Sequence, residues 1–172
     1  MATNLEFIEK RTASDVVSVT WADLFTTTYN IYELYFDIQY NAASYFDIYL
    51  LDSSGNVLTD SNYDVSIYEM KAWTTFHQYY YQNSTLWRDF SGYMENYSVG
   101  GITKMTVFNP TNSTYTLANT VGISKVSGGL FGVQGQGIYT ATNPVHGLKV
   151  QASGGGSTTF DFLNVSVFGV KE

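Results

Sequence analysis

The residues of this chain that can do acid–base or metal chemistry are its carboxylates and two histidines, His77 and His146. Neither histidine falls in an HxH, HxxxH or HExxH pattern of the kind that binds zinc. His77 flanks a run of tyrosines and His146 follows Asn143-Pro144-Val145, so we expect surface or turn positions for both. Cysteine is absent, which removes disulfides, thiolate metal sites and a cysteine nucleophile. The sequence predicts no metal site and no cofactor.

Paired carboxylates are a remaining route to catalysis, because a glycosidase places two of them across its substrate. Asp37 and Asp47 point outward on two strands that we predict to be neighbours, so they are expected to lie close together. Hydrogen bonding to solvent or to a nearby hydroxyl is the simpler interpretation. The segment Asp52-Ser53-Ser54-Gly55-Asn56 has one carboxylate where an EF-type calcium loop has several, and it predicts a tight turn. We predict no catalytic residue.

A glycine-rich stretch, GGLFGVQGQG, resembles a phosphate-binding loop only superficially. It lacks the GK[ST] ending, and no helix is predicted behind it to supply an anion-binding N-terminus. Frequent glycine instead indicates a bend, a bulge or a loop close to another surface. We therefore expect Gly128 to Gly137 to be a mobile segment that forms a second contact edge.

An aromatic cluster is the feature that most suggests a binding surface; its members are Trp73, Phe76, His77, Tyr79, Tyr80, Tyr81, Trp87 and Phe90. Three consecutive tyrosines in a strand place rings on both faces of a sheet, so at least one ring points away from the buried face. Such a ring can stack on a sugar, anchor a subunit interface, or be covered by the segment 83–101, for which we predict a long loop containing at most one short strand. We predict contacts to a protein or ligand at Tyr79, Tyr80, Tyr81 and Trp87.

Composition narrows the class of partner. The net charge is −7 and the 8 basic residues are scattered, which argues against binding to nucleic-acid phosphates. No apolar run approaches the roughly 20 residues of a membrane helix, and the N-terminus has no secretory signal. Charged residues make up 13% and aromatic residues 17% of the chain, against about 25% charge in ordinary domains. This surface suits contact with protein or sugar, although tyrosines also simply fill exposed strand faces.

The elements that position these residues are strands. In YNIYELYFDIQY the even positions from Tyr32 to Tyr40 are apolar or aromatic, which predicts a strand with one buried face. A second run, SYFDIYLL, follows after Asn41-Ala42-Ala43-Ser44, and we interpret the two as an antiparallel hairpin at the centre of a sheet. In the terminal strand Leu163, Val165 and Val167 point inward, and a bulge near Phe162 reconciles them with Phe160.

Roughly eight to ten such strands, polar turns and no long helix predict an all-β fold. We expect one antiparallel β-sandwich domain over residues 1–172, and among sandwiches a jelly roll fits the length best.

The whole-chain pattern resembles a family of small virion structural proteins of tailed bacteriophages, especially marine ones. The resemblance rests on FIEKRTASDVVSVTW, YNIYELYFDI, NYDVSIYEMKAW, VFNPTNSTYT, GIYTATNPVHGLKVQASGG and the closing VSVFGVK. Members often end in V-x-V-Y-G-V/I-K; here Phe168 stands where tyrosine is usual.

The resemblance implies a jelly-roll-like protein on the outside of the virion, assembled in the bacterial host cytoplasm and without enzymatic activity. Its implied partners are other virion proteins, either major capsid or tail proteins. The chain shows no stalk or trimerising shaft, which favours a capsid decoration role for a homo-oligomer. The alternatives are a tail-associated module that binds a receptor or host glycan, and a glycan-cleaving enzyme.

Overall fold

Alternating buried and exposed side chains run along most strands of the protein, as the period-two sequence requires. The computed structural model describes residues 4–73, 76–90, 94, 100–153 and 157–171. These residues form eleven strands: β1 (Leu5–Ala13), β2 (Ser18–Trp21), β3 (Ile31–Tyr40), β4 (Phe46–Leu51), β5 (Tyr63–Lys71), β6 (His77–Ser84), β7 (Gly101–Phe108), β8 (Thr116–Val126), β9 (Gly129–Tyr139), β10 (Gly147–Ala152) and β11 (Phe160–Val170). No helix of the described chain has the length and apolar character needed to span a membrane.

The strands form two sheets that pack face to face. The larger sheet has eight strands in the order β1-β11-β3-β7-β8-β9-β5-β6, and the smaller has three in the order β2-β10-β4. Neighbouring strands are antiparallel throughout both sheets. The core between the sheets is rich in rings, among them Trp21, Tyr32, Phe36, Phe46 and Tyr63. The predicted all-β antiparallel sandwich is confirmed.

Pairing between the strands follows a jelly roll. β1 pairs with β11, β2 with β10 and β3 with β7, so the chain closes on itself as a folded ribbon of paired strands. Within the region predicted to be a loop, Trp87 forms an antiparallel bridge with Ile48 of β4, and Met94 forms one with Ser44, just before β4. Two hairpins, β5–β6 and β8–β9, extend the larger sheet beyond β7.

Two local predictions are confirmed in the core. Every second residue of β3 is buried, from Tyr32 to Tyr40. In β11 the register to β3 shifts between Phe160 and Phe162, which is the predicted bulge. Because of this shift, Phe160 and Leu163 both point into the core.

The predicted hairpin between β3 and β4 is wrong. β3 lies in the larger sheet and β4 in the smaller one, so the segment 41–45 carries the chain from one layer to the other. Both strands have a strongly apolar inner face, and the two faces cover each other across the sandwich instead of lying side by side.

The glycine-rich stretch is also not the mobile edge that we predicted. β9 is an interior strand, paired with β8 on one side and β5 on the other. A Cβ atom at Gly137 would lie 2.8 Å from the indole nitrogen of Trp87, and one at Gly135 would lie 3.2 Å from the ring of Phe90. The glycines are needed because two large rings pack directly on this strand.

Candidate functional site

The outward face of the larger sheet carries an apolar surface, which we call the outer apolar face; it consists of Met70, Phe76, Ile102, Val121, Ile123 and Leu130. These side chains are well exposed: Phe76 is 75% accessible, Ile102 58% and Val121 57%. Large apolar residues scattered singly are normal on a protein surface, but a contiguous group of them marks an interaction site.

Cross-strand register brings these residues together. Ile102 on β7 lies opposite Ile123 on β8, which lies opposite Gly132 on β9, which in turn lies opposite Met70 on β5. Gly132 has no side chain, so the row of cross-strand neighbours has a depression between Ile123 and Met70. This depression is the floor of a groove of about 690 Å³. The groove is open to solvent and is lined by the whole outer apolar face.

The two lysines that line this groove are already paired. Lys104 Nζ lies 2.7 Å from a carboxylate oxygen of Glu33, and Lys71 Nζ lies 3.2 Å from one of Glu69. Their charges are therefore compensated within the chain. A groove with apolar walls and neutralised cations fits an apolar partner surface better than an anionic ligand.

The sequence contained a signal for this surface that we did not use. In STYTLANTVGIS the positions Leu117, Val121 and Ile123 share one parity, whereas the buried residues of β8 occupy the other. A strand with apolar residues at both its inward and its outward positions has no face suited to water. This pattern indicates that both faces of the strand are covered by other parts of a protein. On β5, the exposed Tyr68 and Met70 alternate with buried residues and point outward, which has the same meaning.

The predicted tyrosine cluster lies on β6, an edge strand of the larger sheet. Tyr80 is 71% accessible and Tyr79 is 38% accessible, and the ring of Tyr79 stacks on His77 with 6.3 Å between centroids. Tyr81 is more enclosed: its hydroxyl donates a 2.9 Å hydrogen bond to Asp89 Oδ2. Burial, together with this bond, raises the pKa of Tyr81 to about 12. Tyr80 and Tyr79 are therefore the rings available to a partner.

Trp87 does not belong to this surface, which corrects the prediction that it makes external contacts. Its side chain is fully buried, stacks on Phe90 at 5.3 Å and donates a hydrogen bond to the carbonyl oxygen of Ile138. Because Gly137 has no side chain, the indole of Trp87 fits against β9 at this position. Sequence spacing alone did not reveal this pairing, because the two positions are far apart in the chain.

The two carboxylates considered for catalysis do not meet. Asp37 lies on the outward face of the larger sheet, next to Asn164, whereas Asp47 lies in the smaller sheet. Asp47 is instead close to Asp89, whose backbone N–H donates a 3.0 Å hydrogen bond to its Oδ1. Burial raises the pKa of Asp47 to about 6. The hydrogen bond fixes the 86–90 segment against β4, so Asp47 has a structural role.

The turn at Asp52–Asn56 forms as predicted. Asp52 Oδ1 accepts backbone hydrogen bonds from Ser54 and Asn56, and Oδ2 accepts one from the Asn56 side chain. Gly55 has φ +78°, the left-handed conformation that such a turn favours in glycine. The bonds to Asn56 hold the pKa of Asp52 below its usual range.

The histidines also occupy the kinds of position predicted. His77 is exposed on β6, and His146 lies in the loop before β10, where its backbone N–H donates to the carbonyl oxygen of Leu51. Within the described ranges, no three His, Asp or Glu side chains come together as potential ligands of a metal ion.

Comparisons with known proteins do not identify a family for this chain. No protein-family model and no curated protein matches the chain. Among solved structures, it is similar to the crystal structure of A. japonicus CB05, with a TM-score of 0.31 and 9% identity, over 96% of this chain and 26% of that one. A second similarity is to a fructofuranosidase from Schwanniomyces occidentalis complexed with fructosylnystose, with a TM-score of 0.20 and 8% identity. It covers 88% of this chain and 34% of that one, so the chain spans between a quarter and about a third of these proteins.

Proposed function

We propose that this chain is a non-enzymatic structural protein of a bacteriophage virion, which docks on the outside of the particle as a capsid decoration protein. The observation that carries the proposal is the outer apolar face. A folded sandwich that exposes Ile102, Val121, Ile123 and Leu130 on one continuous sheet face has a surface that is stabilised by covering it with another protein.

Two properties of this face support a docking role over a catalytic one. Five of its six residues lie on interior strands of the sheet, all but Phe76, so most of its shape is preformed and little ordering entropy is lost on binding. Its lysines, Lys71 and Lys104, are compensated by Glu69 and Glu33. A homo-oligomer engages a symmetric shell through several linked copies at once, so modest affinity at each site is sufficient. The phage assignment itself rests on the sequence resemblance.

The test uses DNA-filled heads of the phage that encodes this protein, prepared without tails. The wild-type protein is expected to co-sediment with the heads, and Ile123→Lys is expected to weaken this binding at least about tenfold, because it buries a charge in an apolar contact. Val17→Lys is the matched control, since Val17 is also exposed but lies outside the larger sheet. Equal binding by Ile123→Lys, or no binding of the wild type to heads, would overturn the proposal.

A second function, a tail-associated module that binds a receptor or host glycan, is favoured by the tyrosines of β6. The stacked His77–Tyr79 pair and the exposed Tyr80 present flat ring faces of the kind that pack on sugars. An array of host polysaccharides separates the two functions. Specific binding that is lost in Tyr80→Ala and kept in Ile123→Lys would establish the glycan-binding module in place of the decoration protein.

A further inference from the structure

The larger sheet ends in two edge strands of very different character. β1 carries Glu6, Glu9, Lys10 and Arg11, and the Arg11 and Glu9 side chains form an ion pair of 3.0 Å. Charged side chains on an edge strand hinder the addition of another strand. β6, with the sequence HQYYYQNS, has no Asp, Glu, Lys, Arg or proline. One edge is thus protected against strand addition and the other is not.

The sequence of β6 is also self-complementary. The residues Gln78-Tyr79-Tyr80-Tyr81-Gln82 read the same in both directions around Tyr80. When two identical strands pair antiparallel about an axis through Tyr80, each tyrosine lies opposite a tyrosine and each glutamine opposite a glutamine. We propose that two copies of this chain associate by antiparallel pairing of β6 with β6 around a twofold axis through Tyr80.

The contacts in this pairing are favourable by type. Tyr80 lies opposite its own equivalent, and Tyr79 lies opposite Tyr81 of the second copy, so aromatic cross-strand pairs form on both faces. Gln78 lies opposite Gln82, and each amide both donates and accepts hydrogen bonds. With a net charge of −7 on each copy, a neutral strand is the part of the surface at which two copies can approach with least repulsion.

The backbone of β6 is suited to this partner. Its register to β5 is unbroken from His77 to Tyr81, so the strand is held straight over most of the palindrome. Beyond it, Asn83 has φ +52° and its N–H donates to Asp64 Oδ1, which ends the regular strand. The regular part of the free edge is therefore about as long as the self-complementary segment.

The pairing has a geometric result for the proposed docking surface. An antiparallel edge-to-edge twofold axis runs perpendicular to the sheet, so the outer apolar faces of both copies lie on the same side of one continuous sheet. The dimer is then bivalent toward a particle. The inference does not depend on the proposed function, because it rests on the sequence and backbone of β6 alone.

Cysteine cross-linking tests the pairing and its register, because the natural chain contains no cysteine. In the proposed dimer the two Cα atoms at position 80 are about 4.5–5.5 Å apart, within the range for a disulfide. Tyr80→Cys is therefore expected to form a disulfide dimer with oxidised glutathione. Gln78→Cys alone is expected not to, since its two copies are displaced by about 13 Å along the strand direction, but a mixture of Gln78→Cys and Gln82→Cys is expected to cross-link. Phe7→Cys, on the opposite edge, is the control and is expected to remain uncross-linked.

Light scattering with size exclusion measures the assembly without cross-links. Wild type is expected to be a dimer and Tyr80→Lys a monomer, because the substitution places two like charges opposite each other. Tyr115→Lys, at an exposed position outside β6, is expected to remain a dimer, and a cooperative thermal unfolding transition in each variant shows that both fold. A monomeric wild type, a dimer that persists in Tyr80→Lys, or failure of the mixed 78/82 cross-link would each overturn the proposal.

Discussion

Residue-scale packing is clearest where rings lie on the glycines of β9. Gly137 and Gly135 leave space on the inner face of the strand, and Trp87 and Phe90 occupy it. The rings thereby bring the 86–90 segment close enough to pair with β4. A small residue on one strand thus determines the position of a segment elsewhere in the chain.

Gly137→Ala is expected to destabilise the protein by about 1–3 kcal/mol, because a new methyl group forces the buried indole to shift. Gly132→Ala is the matched control: its Cβ would meet the flexible end of Met70 at 3.3 Å on the outward face, so we expect little change. Urea unfolding followed by tryptophan fluorescence measures both variants. Equal stability of Gly137→Ala and the wild type would contradict this account of the packing.

Asp47 is expected to make stability depend on pH between about 4 and 6. Its folded-state pKa of about 6 lies above the value of about 3.9 in an unfolded chain. The folded state therefore holds the proton more tightly, and the stability that protonation contributes is complete below about pH 4 and is lost as the pH rises through about 6. Asp47→Asn keeps the acceptor for the Asp89 N–H and removes the buried charge.

At pH 7 this variant is expected to be more stable than the wild type by up to about 3 kcal/mol. The difference should shrink toward zero near pH 4. Denaturant unfolding of both proteins across this pH range measures it, with Asp37→Asn as an exposed control that should follow the wild type. Parallel curves for Asp47→Asn and the wild type would show that Asp47 is not desolvated.

At the scale of elements, the sequence predicted strands well and their neighbours poorly. The alternation in β3 and the bulge in β11 are local properties, so the residues themselves reveal them. The partner of a strand depends on layers formed by distant segments. The short connection after Tyr40 therefore indicated a hairpin, although β3 and β4 lie in opposite sheets. Trp87 was misplaced for the same reason, because its complement is Gly137 on a strand that joins the sheet later in the chain.

The turn at Asp52–Asn56 is expected to be independent of metal. Its carboxylate oxygens already accept hydrogen bonds from Ser54 and Asn56, so they are occupied by donors of the chain itself. We expect the melting temperature to stay unchanged on addition of EDTA. Asp52→Ala is expected to lower it equally with and without EDTA, since the substitution removes these acceptors. A drop in melting temperature with EDTA in the wild type alone would contradict this.

At the scale of the whole molecule, the order of strands predicts slow folding. β11, near the end of the chain, pairs with β1 and with β3, so this part of the larger sheet forms only when distant parts of the chain meet. Folds dominated by such contacts take about milliseconds to seconds to form. Stopped-flow refolding monitored by the buried Trp21 and Trp87 is expected to fall in this range. Relaxation in microseconds would be inconsistent with closure of β11 as the limiting step.

The position of β1 at one border of the larger sheet and β6 at the other has a practical result for protein engineering. Leu5 on β1 and Val170 on β11 stand side by side, and measured along the sheet they lie seven and six strand spacings from β6, about 34 Å and about 29 Å. A fluorescent reporter or an antigen fused next to either residue would sit well away from the tyrosines. Two copies joined at β6 would carry such cargo at opposite extremities, which makes the chain a candidate spacer of defined length for displaying paired ligands.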